Sequence, residues 1–148
     1  MLLAHGADNN SSNVLGAALY AAVIGDCEAN PEYLTVIKLL LSHGAKVNPQ
    51  NENDDIPLNG AAMMGRIKSM ELLLTNKADV ARRDKNGQTA LNIAANGHHA
   101  DAVRVLLAKN AEVDIQDKRG RTPLHRAAKF GDEEMAAALL EKGADKES

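Results

Sequence analysis

The sequence predicts an all-α repeat solenoid, and three observations carry that prediction. A leucine-rich segment returns at a fixed interval, with Leu41, Leu74, Leu107 and Leu140 spaced by 33 residues. An alanine pair, Ala61-Ala62, Ala94-Ala95 and Ala127-Ala128, returns at the same interval earlier in each unit. Aromatic residues make up 2% of the 148-residue chain against 45% for all hydrophobic types. Bulky rings are therefore too few to fill a deep globular core, and thin stacked layers of Leu, Ala, Val, Ile and Met follow. A unit that repeats at this length is a supersecondary element that buries its apolar face only against its neighbours.

Each element of the unit has a local cause. The 33-residue spacing also links Leu40, Leu73, Leu106 and Leu139, and Ile37, Met70, Val103 and Ala136. Apolar residues thus fall at i, i+3 and i+4 in every unit, the signature of an amphipathic helix. The alanine pairs mark a shorter helix before it, whose small side chains let two helices approach closely. Between units stand Gly44-Ala45-Lys46-Val47-Asn48, Lys77-Ala78-Asp79-Val80-Ala81 and Asn110-Ala111-Glu112-Val113-Asp114, read as extended turns. Gly44 and Gly143 suit the left-handed residue that closes a helix, and Asn110 tolerates it; Lys77 does not suit it, and Asn76 is the expected relief. At the second turn of each unit Gly87 and Gly120 share a column with Asp54, and Thr89 and Thr122 stand where a hydroxyl caps the next helix. Ile56 cannot cap, so Asp55 is expected to take over.

The segment Arg121-Thr122-Pro123-Leu124-His125-Arg126-Ala127-Ala128, followed by Gly131 and Leu139-Leu140, resembles the ankyrin repeat, whose signature is Thr-Pro-Leu-His-x-Ala-Ala. Gln88-Thr89-Ala90-Leu91-Asn92-Ile93-Ala94-Ala95 and Ile56-Pro57-Leu58-Asn59-Gly60-Ala61-Ala62 are degenerate copies. The resemblance covers essentially the whole chain. It implies stacked helix-turn-helix units with β-turn fingers, and partners that meet the fingers and the concave surface of inner helices. It also gives His125 a structural role in tying the turn to its helix, and makes Asn48 similar to the finger asparagine that hydroxylases modify in animal ankyrin repeats.

The expected organisation is a single domain over 1–148, with four repeats at about 11–48, 49–81, 82–114 and 115–148 and an N-terminal half-repeat at 1–10. Met1 to Asp8 matches the end of a second helix. Ala21-Ala22 precedes Ala61-Ala62 by 40 residues, which places an insertion near 26–32. Asn30-Pro31 reads as an N-cap and first-turn proline opening a lengthened helix through Tyr33, Val36 and Ile37. A broken first repeat leaves Leu2 and Leu3 poorly covered, which makes that end the weakest and a surface for association of an otherwise monomeric chain. It also favours a piece of a larger protein, such as an enzyme, a channel or a pathogen effector that the repeats localise or regulate.

Composition excludes several function classes. A net charge of -3 argues against a nucleic-acid or anionic-membrane binder, which needs clustered Lys and Arg. No run approaches the ~18 apolar residues of a membrane span. The single Cys27 rules out an internal disulfide framework and fits a reducing, intracellular compartment, cytoplasmic by default. Cys27 lies between Asp26 and Glu28, whose charges oppose formation of a thiolate. Among His5, His43, His98, His99 and His125, the adjacent His98 and His99 with Asp101 are the strongest metal candidate, yet neighbours on a helix do not converge on one point. No phosphate loop, paired carboxylate or Cys-x-x-Cys occurs. The sequence therefore predicts no catalytic residue, no metal and no cofactor, and a scaffold that binds another protein.

The binding candidates are the columns the fold does not need. They hold Tyr20, Val23 and Ile24 in the first repeat and Glu52, Asn53, Asp55, Met63 and Met64 in the second. Lys85, Asn86, Gln88, Ile93 and Asn96 follow in the third, and Lys118, Arg119, Arg121, Arg126, Lys129 and Phe130 in the fourth. Over equal windows, 51–60 carries Glu52, Asp54 and Asp55 for -3, 84–93 carries Asp84 and Lys85 for 0, and 117–126 carries Asp117 against four cations for +3. The fingers run from acidic to basic, an ordering that can set a partner's orientation. Val23, Ile24, Met63 and Met64 read either as an anchor patch or as packing between repeats. Tyr20 and Phe130 are candidate hot spots at opposite ends of the surface.

Overall fold

The computed structural model describes residues 9–25, 32–48 and 56–143. Among the described residues the chain forms helices only: α1 (Asn9–Ile24), α2 (Tyr33–Ser42), α3 (Pro57–Met64), α4 (Ile67–Thr75), α5 (Ala90–Asn96), α6 (Ala100–Ala108), α7 (Pro123–Phe130) and α8 (Glu133–Glu141). They pair as α1·α2, α3·α4, α5·α6 and α7·α8, and each pair stacks on the next, first helix on first helix and second on second. One stripe of apolar side chains runs through the stack. Leu19, Ile37, Leu58, Met70, Leu73, Leu91, Val103, Leu106, Met135 and Leu139 are all fully buried in it. Burying one such side chain is worth about 1.5–3 kcal/mol, so the array is held by a row of equal layers.

The second helices end alike because the same carbonyls must be satisfied each time. After α2 the Ala45 N–H reaches Leu40 O at 3.0 Å and the Gly44 N–H reaches Leu41 O at 3.2 Å. After α4 and α6 the same two bonds are made by Ala78 and Lys77, and by Ala111 and Asn110. This is the Schellman arrangement, with the next alanine turned into the core. Gly44, Asn110 and Gly143 take the left-handed conformation expected of them, at φ 94°, 64° and 90°. Lys77 corrects the sequence reading: Asn76 stays at φ -93° and Lys77 itself adopts φ 70°. The pair of bonds to Leu73 and Leu74 outweighs the steric cost of a Cβ there.

The first helices close similarly at Gly65, His98 and Gly131, all with φ near 60–66°. At the next position three side chains act differently. Arg66 Nη2 donates to Gly25 O at 2.5 Å, His99 Nε2 bonds Met63 O at 3.0 Å, and Asp132 accepts from Met135 N–H at 3.0 Å. The first two tie a repeat to the one before it.

The first repeat departs from its expected boundary. Helix α1 has 16 residues where α3 has 8, and it crosses the division placed at residue 10. Aligning Ala21-Ala22 with Ala94-Ala95 sets Val14 opposite Gly87, whose φ is 71°. A β-branched residue does not adopt that conformation, so no finger turn forms and the helix continues instead. Leu15, Leu19 and Val23 then sink into the core at 8%, 0% and 0% exposure. Helix α2 starts at Tyr33 after Glu32; the Asn30-Pro31 start and the insertion lie outside the described residues, as do Met1 to Asp8 and Cys27.

Candidate functional site

The surface opposite the second helices is built from the fingers and the first helices. Two fingers share one design. In 84–88, the Gly87 N–H reaches Asp84 O at 2.9 Å, and Asp84 Oδ1 accepts from Asn86 and Gln88 N–H at 2.8 and 2.9 Å. In 117–121, Gly120 N–H reaches Asp117 O at 2.9 Å, and Asp117 Oδ1 accepts from Arg119 and Arg121 N–H at 2.8 and 3.1 Å. Aspartate three positions before a left-handed glycine is thus the finger's framework. Arg83 joins the fingers, its Nη1 donating to Gln116 O at 2.8 Å and Gly87 O at 3.0 Å.

Below each finger a capping box starts the helix. Thr89 and Thr122 cap α5 and α7 as expected, and Asn92 and His125 reach back to their N–H groups at 3.0 and 2.9 Å. Asn92 adds a bond from Nδ2 to Ile115 O at 3.1 Å, joining its repeat to the next. Ile56 makes no side-chain cap, and the expected substitute Asp55 lies outside the described residues.

The fourth finger and α7 bound a polar recess of about 560 Å³, lined by Asn86, Gln88, Asn96, Asp117, Lys118, Arg119, Arg121 and Arg126. Asp117 is the lining residue that the surface columns missed. Its repeated position in both fingers was the available signal. Burial opposes its ionisation, but the Arg121 side chain and the backbone N–H groups of Arg121 and Arg119 outweigh that and hold the carboxyl below its usual range. Arg121 Nε and Nη2 lie 2.9 and 2.8 Å from Asp117 Oδ2. Lys85 and Lys129 are exposed nearby on the third finger and α7 but do not line the recess. Phe130 is 47% exposed, with the His98 ring against it edge-on at 4.3 Å and Lys129 Nζ 5.6 Å from its centroid.

The apolar candidates divide. Val23 is fully buried in the core, which removes it from the surface set. Its place one helical turn after Leu19 on the buried stripe of α1 is the reason. Tyr20 and Ile24 lean on Gly60, where an added Cβ would lie 2.9 and 2.8 Å from their atoms, so both pack between repeats. Ile93 packs against the core and is half-buried. Met63 and Met64 remain on the surface at 48% and 40% exposure. Glu52, Asn53 and Asp55, and with them the acidic end of the charge series, lie outside the described residues.

A family model described as ankyrin repeats (3 copies) matches residues 1–84 and again 61–148. The chain belongs to the ankyrin-repeat family. Ankyrin repeats are generally protein-interaction modules, and the family is typically non-catalytic. Among curated proteins, none matches this sequence. No described helix is long and apolar enough to cross a membrane.

The ankyrin framework also accounts for the described histidines, His5 lying outside the described residues. His125 braces its own cap, and His99 bonds the preceding repeat. His43 Nδ1 bonds Leu39 O at 2.8 Å at the end of α2. His98, in the left-handed conformation at φ 60°, sets its ring edge-on against Phe130. Among the described residues no three His, Cys, Asp or Glu side chains gather as a metal site. Asn48 is engaged as well: its Nδ2 donates to Lys77 O at 3.1 Å and its Oδ1 accepts from Asp79 N–H at 2.8 Å. Its amide braces the following ankyrin repeat.

Proposed function

We propose that this ankyrin-repeat chain is a scaffold that binds another protein across its fingers and first helices and carries out no chemistry itself. The observation that supports the reading most is the division of labour along each repeat. Residues that recur are spent on caps, turns and core. The varying ones, Met63, Met64, Lys118, Arg119, Lys129 and Phe130, are exposed on one face, and among the described residues their side chains make no hydrogen bond or salt bridge within the stack. A preformed rigid surface keeps the ordering cost of association low.

Lysines on both sides of the array supply the test. Lys85, Lys118 and Lys129 lie on the finger and first-helix face, and Lys68, Lys109 and Lys142 on or after the second helices. A partner captured from a lysate is cross-linked through lysine and the linked positions are read by mass spectrometry. Cross-links at Lys85, Lys118 and Lys129, with capture lost on changing Met63, Met64, Lys118 and Arg119 to Ala, are expected. Cross-links confined to Lys68, Lys109 and Lys142, or no capture, overturn the proposal.

A further inference from the structure

We infer that the recess between the third and fourth fingers receives an acidic segment of the partner, with carboxylates against Lys118, Arg119 and Arg126. This rests on the binding reading above and names the chemistry of what is bound. The recess carries Lys118, Arg119, Arg121 and Arg126 against Asp117, a net +3, in a chain whose total is -3. Arg121 is already spent on Asp117. Lys118, Arg119 and Arg126 have no ion-pair partner among the described residues, whereas Arg104 pairs with Asp101 and Glu134, and Arg121 with Asp117. Three uncompensated cations are thus held around one concavity while the rest of the molecule is acidic.

Three features make the occupant a peptide. Guanidinium groups match carboxylates with two parallel hydrogen bonds. The amides of Asn86, Gln88 and Asn96 in the same wall supply donors and acceptors for a peptide backbone. The cationic surface is also short: the neighbouring finger carries Asp84 beside Lys85 and adds no net charge, so the excess is confined to the fourth finger and α7. A nucleic acid, with a charge every few ångströms, needs a continuous basic track, which one finger and one helix do not supply.

The probe is a decapeptide of glutamate, titrated into the ¹⁵N-labelled chain and followed by amide chemical shifts. Saturable shifts at 86–88 and 118–126 are expected, weakening several-fold between 50 and 300 mM salt. A Lys118→Glu, Arg126→Glu variant should keep the remaining spectrum, which shows that it folds, and bind about tenfold or more weakly. Shifts scattered over the surface, no shift at millimolar peptide, or undiminished binding by the variant overturns the inference. So does tighter binding of an oligothymidylate of equal charge, which would make the recess a nucleic-acid site. A partner cross-linked to Lys118 and Lys129 alongside a failed peptide titration defeats this inference alone; no capture at all defeats the binding reading beneath it.

Discussion

Replacing Asn92 by alanine should be one of the costliest polar substitutions in the array. Its side chain is 4% exposed, and it serves two otherwise buried backbone groups, the Thr89 N–H at 3.0 Å and the Ile115 carbonyl at 3.1 Å. Thr89 and Ile115 are 3% and 6% exposed, so water cannot replace the lost partner without local opening. Leaving a buried donor or acceptor unsatisfied costs about 1–3 kcal/mol each, and two such groups give roughly 2–6 kcal/mol. For a chain of this length that is a fall in Tm of roughly 6–18 °C. Asn59 in the same column is the control. It is 7% exposed, but its Nδ2 has no protein partner among the described residues, so Asn59→Ala should cost less than about 1 kcal/mol. Asn92→His should recover most of the loss, because His125 reaches the equivalent Thr122 N–H at 2.9 Å. Urea unfolding of the three variants at unchanged m-value measures the differences. Equal losses for Asn92→Ala and Asn59→Ala, or a histidine no better than alanine, would refute the assignment of stability to these two bonds.

Two further outcomes follow from single residues. Lys77→Gly should raise stability by about 0.5–1 kcal/mol, since a side chain in the left-handed conformation costs about 1–2 kcal/mol and glycine's extra unfolded freedom takes back part of that; Asn110→Gly should gain less, and thermal unfolding of both decides the ranking. Asp117 has a folded pKa held below its unfolded value, so it stabilises the chain above pH ~4 and that contribution is lost as pH falls through the folded value. Asp117→Asn should therefore be less stable than the parent at pH 7 and lose less between pH ~4 and ~2, as read by urea midpoints across that range.

The repeat was legible because its cause is periodic. Core leucines, alanine pairs and capping threonines must recur wherever identical layers stack, and their 33-residue spacing is visible without any structure. What the sequence concealed lies where a column is filled by an unusual residue. Lys77 was expected to be relieved by Asn76, but the two Schellman bonds force the strain onto Lys77 itself. Val14 in the glycine column signalled the missing finger, and alignment through the alanine pair exposes it. Val23 was misplaced because surface columns from 8-residue helices were carried onto one of 16 residues. The braces of Arg66 and His99 were illegible for another reason. Both act across repeats, 41 and 36 residues from the carbonyls they meet, and nothing local marks them.

The two fingers show which part of the recess belongs to the fold and which to the face. Asp84 and Asp117 hold equivalent turns through Oδ1, with distances that differ by no more than 0.2 Å. In the first finger Gln88 contributes only its backbone N–H to Asp84. The turn therefore forms without an arginine at that position. In the second, Arg121 adds a two-point ion pair to the outer oxygen of Asp117. Such a pair, one-third exposed on the arginine side, is worth little to stability. Its larger consequence is electrostatic: it cancels the one carboxylate in the recess and leaves the field there to Lys118, Arg119 and Arg126. Changing Arg121 to glutamine should accordingly leave the turn as it stands in 84–88. It would also lower the net charge of the recess from +3 to +2 and uncover a carboxylate facing whatever acidic chain approaches.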